Sequence, residues 1–356
     1  MAAGRAPSRD LPPQGATVLT STKSRIAVIA AASLMSMAAQ ATDITGAGSS
    51  FVYPVLTKWS AAYAEKTGNQ LNYQSVGSGA GIAQIKAGTI DFGASDAPLS
   101  SEDLNKFGLG QFPLVVGGIV PVVNIAGIQS DQIKLDGATL AEIFMGKITN
   151  WNDPRIAALN AGVNIPAGKI TVVHRSDGSG TTYNFTNYLT KVSPAWAAKV
   201  KFGTAVDWPT GVGGKGNEGV SQYVRQIKGA IGFVEYAYAV QNKISWVDMK
   251  NAAGQVIKPN ADAFAAAAAT ADWAHAKDFN LIMTNAPGKT AWPITATTWA
   301  IMYKKPKNAE HTKVAFDFFK WSFENGQPQA ASLDYVPLPP SLVKQIEAYW
   351  ASDFQK

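Results

Sequence analysis

The chain reads as an α/β protein whose mostly parallel sheets are flanked by helices, arranged in two lobes. Three features of the sequence predict this. Strand, polar turn and helix follow one another three times within about sixty residues after Thr42, the repeat that lays down a parallel sheet. The same plan returns at KITVVHRSDGSGTTYNFTNYL, residues 169–189. Between them QFPLVVGGIVPVVNI (111–125) is apolar without alternation, as expected of buried strands continuing from one lobe into the next. A length of 356 residues, 46% of them apolar, suits about two domains with full cores.

Taken in order, a short strand around Ile44 runs into a Gly/Ser turn and then a helix. Phe51, Val55, Trp59 and Tyr63 fall on one face of that helix at four-residue spacing, and Gly68 stops it. NQLNYQSV is the next strand, GSGAG (77–81) the next turn, and IAQIKAG a short helix closed by Gly88. TIDFGASDAPLSSEDLNKF repeats the plan. After the apolar run, LDGATLAEIFMGKITNWNDPRIAAL gives short helices broken at Gly146 and Pro154. WPTGVGGKGNEGVSQYVRQIKGAIGFVEYAYAV places a glycine-rich loop before a helix, with a strand at AIGFVEY. The alanine run 265–269 is helix with a small-residue packing face. WPITATTWAIMYK (292–304) is a strand returning to the first lobe, followed by terminal helices at VAFDFFKWSFENG and PSLVKQIEAYW.

Composition excludes several classes of function. The formal charge is +6, and Arg5, Arg9, Lys23 and Arg25 against Asp10 place half of it ahead of Thr42. The remainder forms no concentrated basic face, so nucleic acid is not an expected partner. The absence of cysteine removes disulfides, thiolate metal sites and thiol catalysis. The three histidines, His174, His275 and His311, are scattered, and neither an H-E-x-x-H nor a G-x-S-x-G motif is present, so no metal or catalytic residues are assigned. GVGGKGNEG (211–219) is only superficially similar to a nucleotide loop. Gly216 follows Lys215 where magnesium needs Ser or Thr, and Pro209 stands where the leading glycine belongs.

The N-terminal segment has a different job. Lys23 and Arg25 precede IAVIAAASLMSMAA and then Ala39-Gln40-Ala41, the basic, apolar and small-residue order of a cleavable signal peptide. Cleavage is expected after Ala41, with the mature chain soluble beyond the inner membrane. Residues 1–17, rich in Pro, Gly and Arg, lie ahead of that signal.

The turns carry the chemistry. Ser49, Ser50 and Phe51 follow a strand and open a helix; Ser78 does so inside GSGAG; Ser95 and Asp96 end DFGAS; Ser179, Gly180 and Thr181 stand between VVHR and the next helix. Strand carboxyl ends of a parallel sheet face the crevice where ligands bind, and helix N-termini there offer free N–H groups to anions. Small hydroxyl residues at such starts commonly cap their own helix. Four starts in two distant regions point to a shared ligand as well. Arg175 adds a five-donor fork suited to a tetrahedral oxyanion, with Asp177 placed to orient it. Asp96 would repel an anion unless the anion carries a proton to give it. Phosphate carries one near neutral pH and sulfate does not, so Asp96 is the expected selector.

TGAGSSF, YQSVGSGAGI, IDFGASDAPLS, RSDGSGTTYNF, GGKGNEGV, GAIGFVEYAYA and AWPITATT together resemble the periplasmic phosphate-binding proteins of high-affinity phosphate ABC transporters, a type II periplasmic binding protein family. The resemblance runs from about Thr42 to the C-terminus; residues before Val18 have no counterpart in it. It implies two α/β lobes joined by a two-stranded hinge, at 42–120 plus 292–356 and at 121–291, closing over one phosphate. It implies Ser50, Phe51, Ser78, Asp96, Arg175, Ser179, Gly180 and Thr181 as phosphate ligands, with Asp177 and Ser49 supporting them. Relatives often carry threonine at position 50 and alanine at position 49. The implied partners are inorganic phosphate and inner-membrane permease subunits with their ATPase. The expected protein is a monomer in the periplasm, with no cofactor and no catalysis.

Overall fold

The computed structural model describes residues 41–355; the expected signal peptide lies outside them. In the first quarter of the chain each strand hands over to a helix: β1 (Ile44–Gly48), α1 (Tyr53–Thr67), β2 (Leu71–Ser75), α2 (Ser78–Ala87), β3 (Phe92–Ser95) and α3 (Ser101–Phe107). Helix α1 has Pro54 in its first turn, ends on a left-handed Gly68, and buries Val55, Trp59 and Tyr63 of the predicted stripe together with Leu56, while Phe51 is buried just ahead of the helix. Helix α2 begins earlier than the sequence suggests. Gly79 and Gly81, expected in a turn, form its first turns, and a Cβ on Gly81 would lie 2.5 Å from the Ala47 carbonyl oxygen. Glycine is there because the helix start rests directly on β1.

Strand β4 (Leu109–Val123) is buried along its whole length. Beyond it come β5 (Lys134–Leu135), α4 (Gly137–Phe144), α5 (Pro154–Leu159), β6 (Thr171–Arg175), α6 (Gly180–Val192), α7 (Pro194–Lys199), β7 (Val212–Gly214), α8 (Gly216–Gln226), β8 (Ala230–Glu235) and α9 (Tyr236–Gln241). The chain continues through β9 (Ser245–Trp246), β10 (Asp248–Lys250), β11 (Val256–Ile257) and α10 (Ala261–Ala268). It returns along β12 (Thr295–Tyr303) and closes with α11 (Ala309–Asn325), α12 (Gln327–Ala331) and α13 (Pro340–Asp353).

The large sheet runs β2-β1-β3-β12-β4-β8-β6-β7, with β9 on β4; β11, β10 and β5 make a small second sheet. β1 is parallel to β2 and β3, and β6 is parallel to β7 and β8. These parallel triplets are joined by β12 and β4, which run antiparallel to each other and to their outer neighbours. The sheet is therefore mixed, parallel at both ends and antiparallel where it crosses over. β4 pairs β12 from Leu109 to Gly118 and β8 from Ile119 to Val123. The register of β12 slips at Thr298/Trp299, opposite Pro113, whose missing N–H cannot serve the ladder. At the crossover, a Cβ on Gly117 would press on the Phe51 ring at 2.9 Å and one on Gly118 would enter the Phe264 ring at 2.1 Å.

Aromatic rings fill both sides. Phe112 on β4 meets Phe319 and Trp350 from the terminal helices at 5.4 and 4.9 Å, and Phe185 stacks on Phe233 at 4.0 Å beside Phe144. Each such side chain contributes about 1.5–3 kcal/mol by leaving water. Both parallel triplets are thus backed by packed rings, and strands of both end on one cleft. Among the described residues no helix is long and apolar enough to cross a membrane.

Candidate functional site

The carboxyl ends of β1, β3 and β6 and the first turns of α2, α6 and α8 meet at this cleft. Gly48 makes the first approach possible: its φ is +139°, and a Cβ there would lie 2.1 Å from the Ala94 carbonyl oxygen. The Ser49 N–H donates to that carbonyl at 2.8 Å, which fixes Ser49, Ser50 and Phe51 beside the end of β3. The three residues are fully buried.

Asp96 is the centre of the arrangement and is 1% exposed. Its Oδ1 accepts from the Ser49 hydroxyl and from Thr298 Oγ1 at 2.8 Å, and its Oδ2 from Thr181 Oγ1 at 3.5 Å. Its backbone N–H donates to Ser78 Oγ at 3.3 Å, and Asn184 Nδ2 donates to its carbonyl. Burial raises its pKa to about 6; the hydroxyls of Ser49 and Thr298, and then the Arg175 charge, pull the other way without cancelling it.

Arg175, 3% exposed, reaches in from β6. Its Nε donates to Asp177 Oδ1 at 2.8 Å, Nη2 to Asp177 Oδ2 at 2.5 Å, and Nη1 to Thr181 Oγ1 at 3.4 Å. The expected Arg175–Asp177 unit is therefore a bidentate buried pair, and the Gly216 N–H on Asp177 Oδ1 at 3.0 Å steadies it. Burial pushes the Asp177 carboxyl up, but the hydrogen bonds and charge of Arg175 outweigh that and hold it below the usual range. Thr181 Oγ1 touches both Asp96 and Arg175, so the acid and the cation share one hydroxyl.

The sides of the cleft are in direct contact. Ser78 Oγ accepts from the Gly180 N–H at 3.0 Å, and the Gly79 N–H donates to the Gly178 carbonyl at 2.9 Å. A Cβ on Gly180 would lie 2.6 Å from the Asp96 backbone nitrogen. Ser179 Oγ accepts from the Thr182 N–H at 3.0 Å and so caps α6, the ordinary job of such a serine, while its hydroxyl hydrogen stays available. His174 stands aside, stacked on Trp208 at 4.8 Å, and burial lowers its pKa.

All ten residues singled out from the sequence thus lie in or against one cleft. The sequence reading missed several others. Asn217, in the first turn of α8, donates to Ser50 Oγ through its backbone N–H at 3.1 Å and its Nδ2 at 2.8 Å. Thr298 supplies a hydroxyl to Asp96. Tyr238 Oη donates to the Ser50 carbonyl at 2.7 Å, and Tyr335 Oη lies 2.6 Å from the Phe51 carbonyl. Asn217, Thr298 and Tyr238 sit inside GGKGNEGV, AWPITATT and GAIGFVEYAYA, so the segments were visible even where the contacts were not. Among the described residues no three His, Cys, Asp or Glu side chains gather as metal ligands. The site offers hydroxyls, helix-start N–H groups and one guanidinium to an oxyanion, and one carboxylate to a proton.

Comparison with known proteins agrees with this chemistry. A profile described as a PBP superfamily domain matches residues 35–325. The phosphate-binding protein PstS of Xylella fastidiosa (strain 9a5c) is 62% identical over 312 residues, covering 88% of this chain and 86% of the relative. That of Pasteurella multocida is 53% identical over 321 residues, covering 90% and 93%. Among solved structures, a high-affinity periplasmic phosphate-binding protein (PfluDING) bound with phosphate superposes with a TM-score of 0.70 at 21% identity, over 86% of this chain and 93% of that one. A phosphate-binding protein from Stenotrophomonas maltophilia gives 0.65 at 21%, over 88% and 95%. At these identities the structural likeness speaks for the fold, and the curated relatives speak for the family.

The Asp96 environment makes stability depend on pH. A carboxyl whose pKa is higher in the folded than in the unfolded chain keeps its proton longer when folded. Between about pH 4 and 6 the folded form is the more protonated, and its stability falls as pH rises; above about 6 the contribution of Asp96 is constant. The loss is on the order of 3 kcal/mol. Thermal denaturation of the phosphate-free protein across this range should show Asp96→Asn gaining stability relative to the wild type as pH rises from about 4 to 6. Parallel curves would mean that Asp96 is an ordinary surface-like carboxylate.

Proposed function

The chain belongs to the PstS family of phosphate-binding proteins, and on that premise we propose that it is a high-affinity periplasmic receptor for inorganic phosphate. It passes the ion to an ABC transporter and makes or breaks no bond in it. The observation that carries this reading is the pairing of Asp96 with Arg175 in one buried site, each bonded to Thr181 Oγ1. A guanidinium and helix N-termini favour any oxyanion. A buried carboxylate tolerates only one that brings a proton, which HPO₄²⁻ and H₂PO₄⁻ do and sulfate does not. Against sulfate, the lone pairs of Asp96 would face those of the anion with no hydrogen between them, at a cost of several kcal/mol.

In this reading Ser50, Phe51, Ser78 and Asp96 hold the ion from one lobe and Arg175, Ser179, Gly180 and Thr181 from the other. Ser49 and Asp177 position Asp96 and Arg175. The lobes are 42–120 plus 292–356 and 121–291, hinged where β4 and β12 cross, and binding shifts the population toward closure. The bonds of Gly180 to Ser78 and of Asn217 to Ser50 support this, since each joins residues of different lobes. Docking partners are the inner-membrane permease subunits and their ATPase, and the receptor acts as a monomer. It arrives by a signal peptide cut after Ala41.

Two calorimetric titrations test the site. Asp96→Asn should weaken inorganic phosphate by about tenfold or more and narrow its margin over sulfate, because an amide no longer accepts the proton at both oxygens. Unchanged affinity and margin would reduce Asp96 to a structural group. Gly180→Ala, whose methyl would lie 2.6 Å from the Asp96 backbone nitrogen, should lower the melting temperature of the phosphate-free protein. It should cost at least about tenfold in phosphate affinity, since the added methyl collides with Asp96 on closure. Wild-type affinity in this variant would refute the closed geometry.

A further inference from the structure

Glu235, at the end of β8, is 1% exposed and has no cation beside it. Its Oε2 lies 2.9 Å from Tyr335 Oη and accepts from the Ala237 N–H at 2.9 Å. The same Tyr335 Oη lies 2.6 Å from the Phe51 carbonyl oxygen. Two oxygens this close need a hydrogen between them, and a phenol has only one. A backbone carbonyl has none to give. If the phenol donates to Phe51, the hydrogen between Tyr335 and Glu235 must come from Glu235. If it donates to Glu235, the Phe51 carbonyl and the phenol face each other lone pair to lone pair at 2.6 Å. Only the first arrangement satisfies both contacts.

Going beyond the assignment of phosphate and resting on it for the role of Ser50 and Phe51, we propose that Glu235 is a neutral carboxylic acid that donates its proton to Tyr335, and that this pair positions the Ser50–Phe51 segment across the cleft. Glu235 belongs to the expected second lobe and Tyr335 to the first, and Glu235 also pairs with Ile119 of β4, so the acid–phenol bond joins the lobes beside the crossover. The groups facing Glu235 agree with a neutral form. Burial is the largest influence and raises its pKa well above the usual range; the Ala237 N–H and Tyr335 pull it down without cancelling that, and the carboxyls of Asp96 and Asp334 add a smaller upward push. The phenols of Tyr238 and Tyr335 are raised well above their usual value, chiefly by burial, and so remain protonated.

Infrared difference spectroscopy decides the proton. At about pH 8, where an ordinary glutamate is ionised, wild type minus Glu235→Gln should show the carbonyl stretch of a protonated carboxyl. Its absence overturns the proposal. Tyr335→Phe then tests positioning: the ring stays, the hydroxyl goes, the Glu235 band should shift, and phosphate affinity should fall by at least about tenfold. A folded Tyr335→Phe with wild-type affinity and an unmoved band would also overturn it. If that variant does not fold, the wild-type band still decides. If the wild type binds no phosphate at all, the ligand assignment fails, and the band separates that failure from this one.

Discussion

The structure is organised around one unfavourable placement, a carboxylate buried where strand ends and helix starts converge. Asp96 just past β3 has no direct ion pair; three hydroxyls, from the turn after β1, from within β12 and from the first turn of α6, satisfy it instead. Each hydroxyl demands close backbone approach. Gly48 lets the β1 turn touch β3, Gly81 lets α2 lie on β1, and Gly180 lets α6 begin against Asp96 itself. Replacing any of these hydrogens by a methyl would move a donor away from the carboxylate. The glycine-rich turns and the single buried acid are thus parts of one arrangement.

The sheet supplies the other requirement, that donors from distant parts of the chain converge and still separate. Parallel triplets place strand ends and helix starts on one side, each with its own aromatic core. Within the sheet β4 and β12 lie between them, and β4 changes partner between Gly118 and Ile119. Next to that crossover, Tyr335 and Tyr238 hold the carbonyls of Phe51 and Ser50. The Ser50–Phe51 segment is therefore fastened beside the point where β4 changes partner.

Local features were legible in the sequence. The α1 stripe, the strand–turn–helix repeats and the Arg175–Asp177 pair are short-range patterns, and each is found where its spacing placed it. GSGAG was read as turn because glycine is a poor helix former; packing against β1 overrides that preference. Asn217, Thr298 and Glu235 were not legible as site residues, since their partners lie 167, 202 and 100 positions away. No periodicity carries such separations. The curated relatives identify the family, but proton counting at Tyr335 needs distances.

The central claim is that the buried carboxylate makes the site accept a protonated oxyanion and refuse an unprotonated one of the same shape and size. Side-by-side calorimetric titration of the wild-type chain from Thr42 onward with phosphate and with sulfate, near pH 7 and in low chloride, tests it most directly. The account predicts phosphate bound at least about a hundredfold more tightly, the equivalent of one buried hydrogen bond to a charged group replaced by lone-pair repulsion. Sulfate binding within about tenfold of phosphate would contradict it.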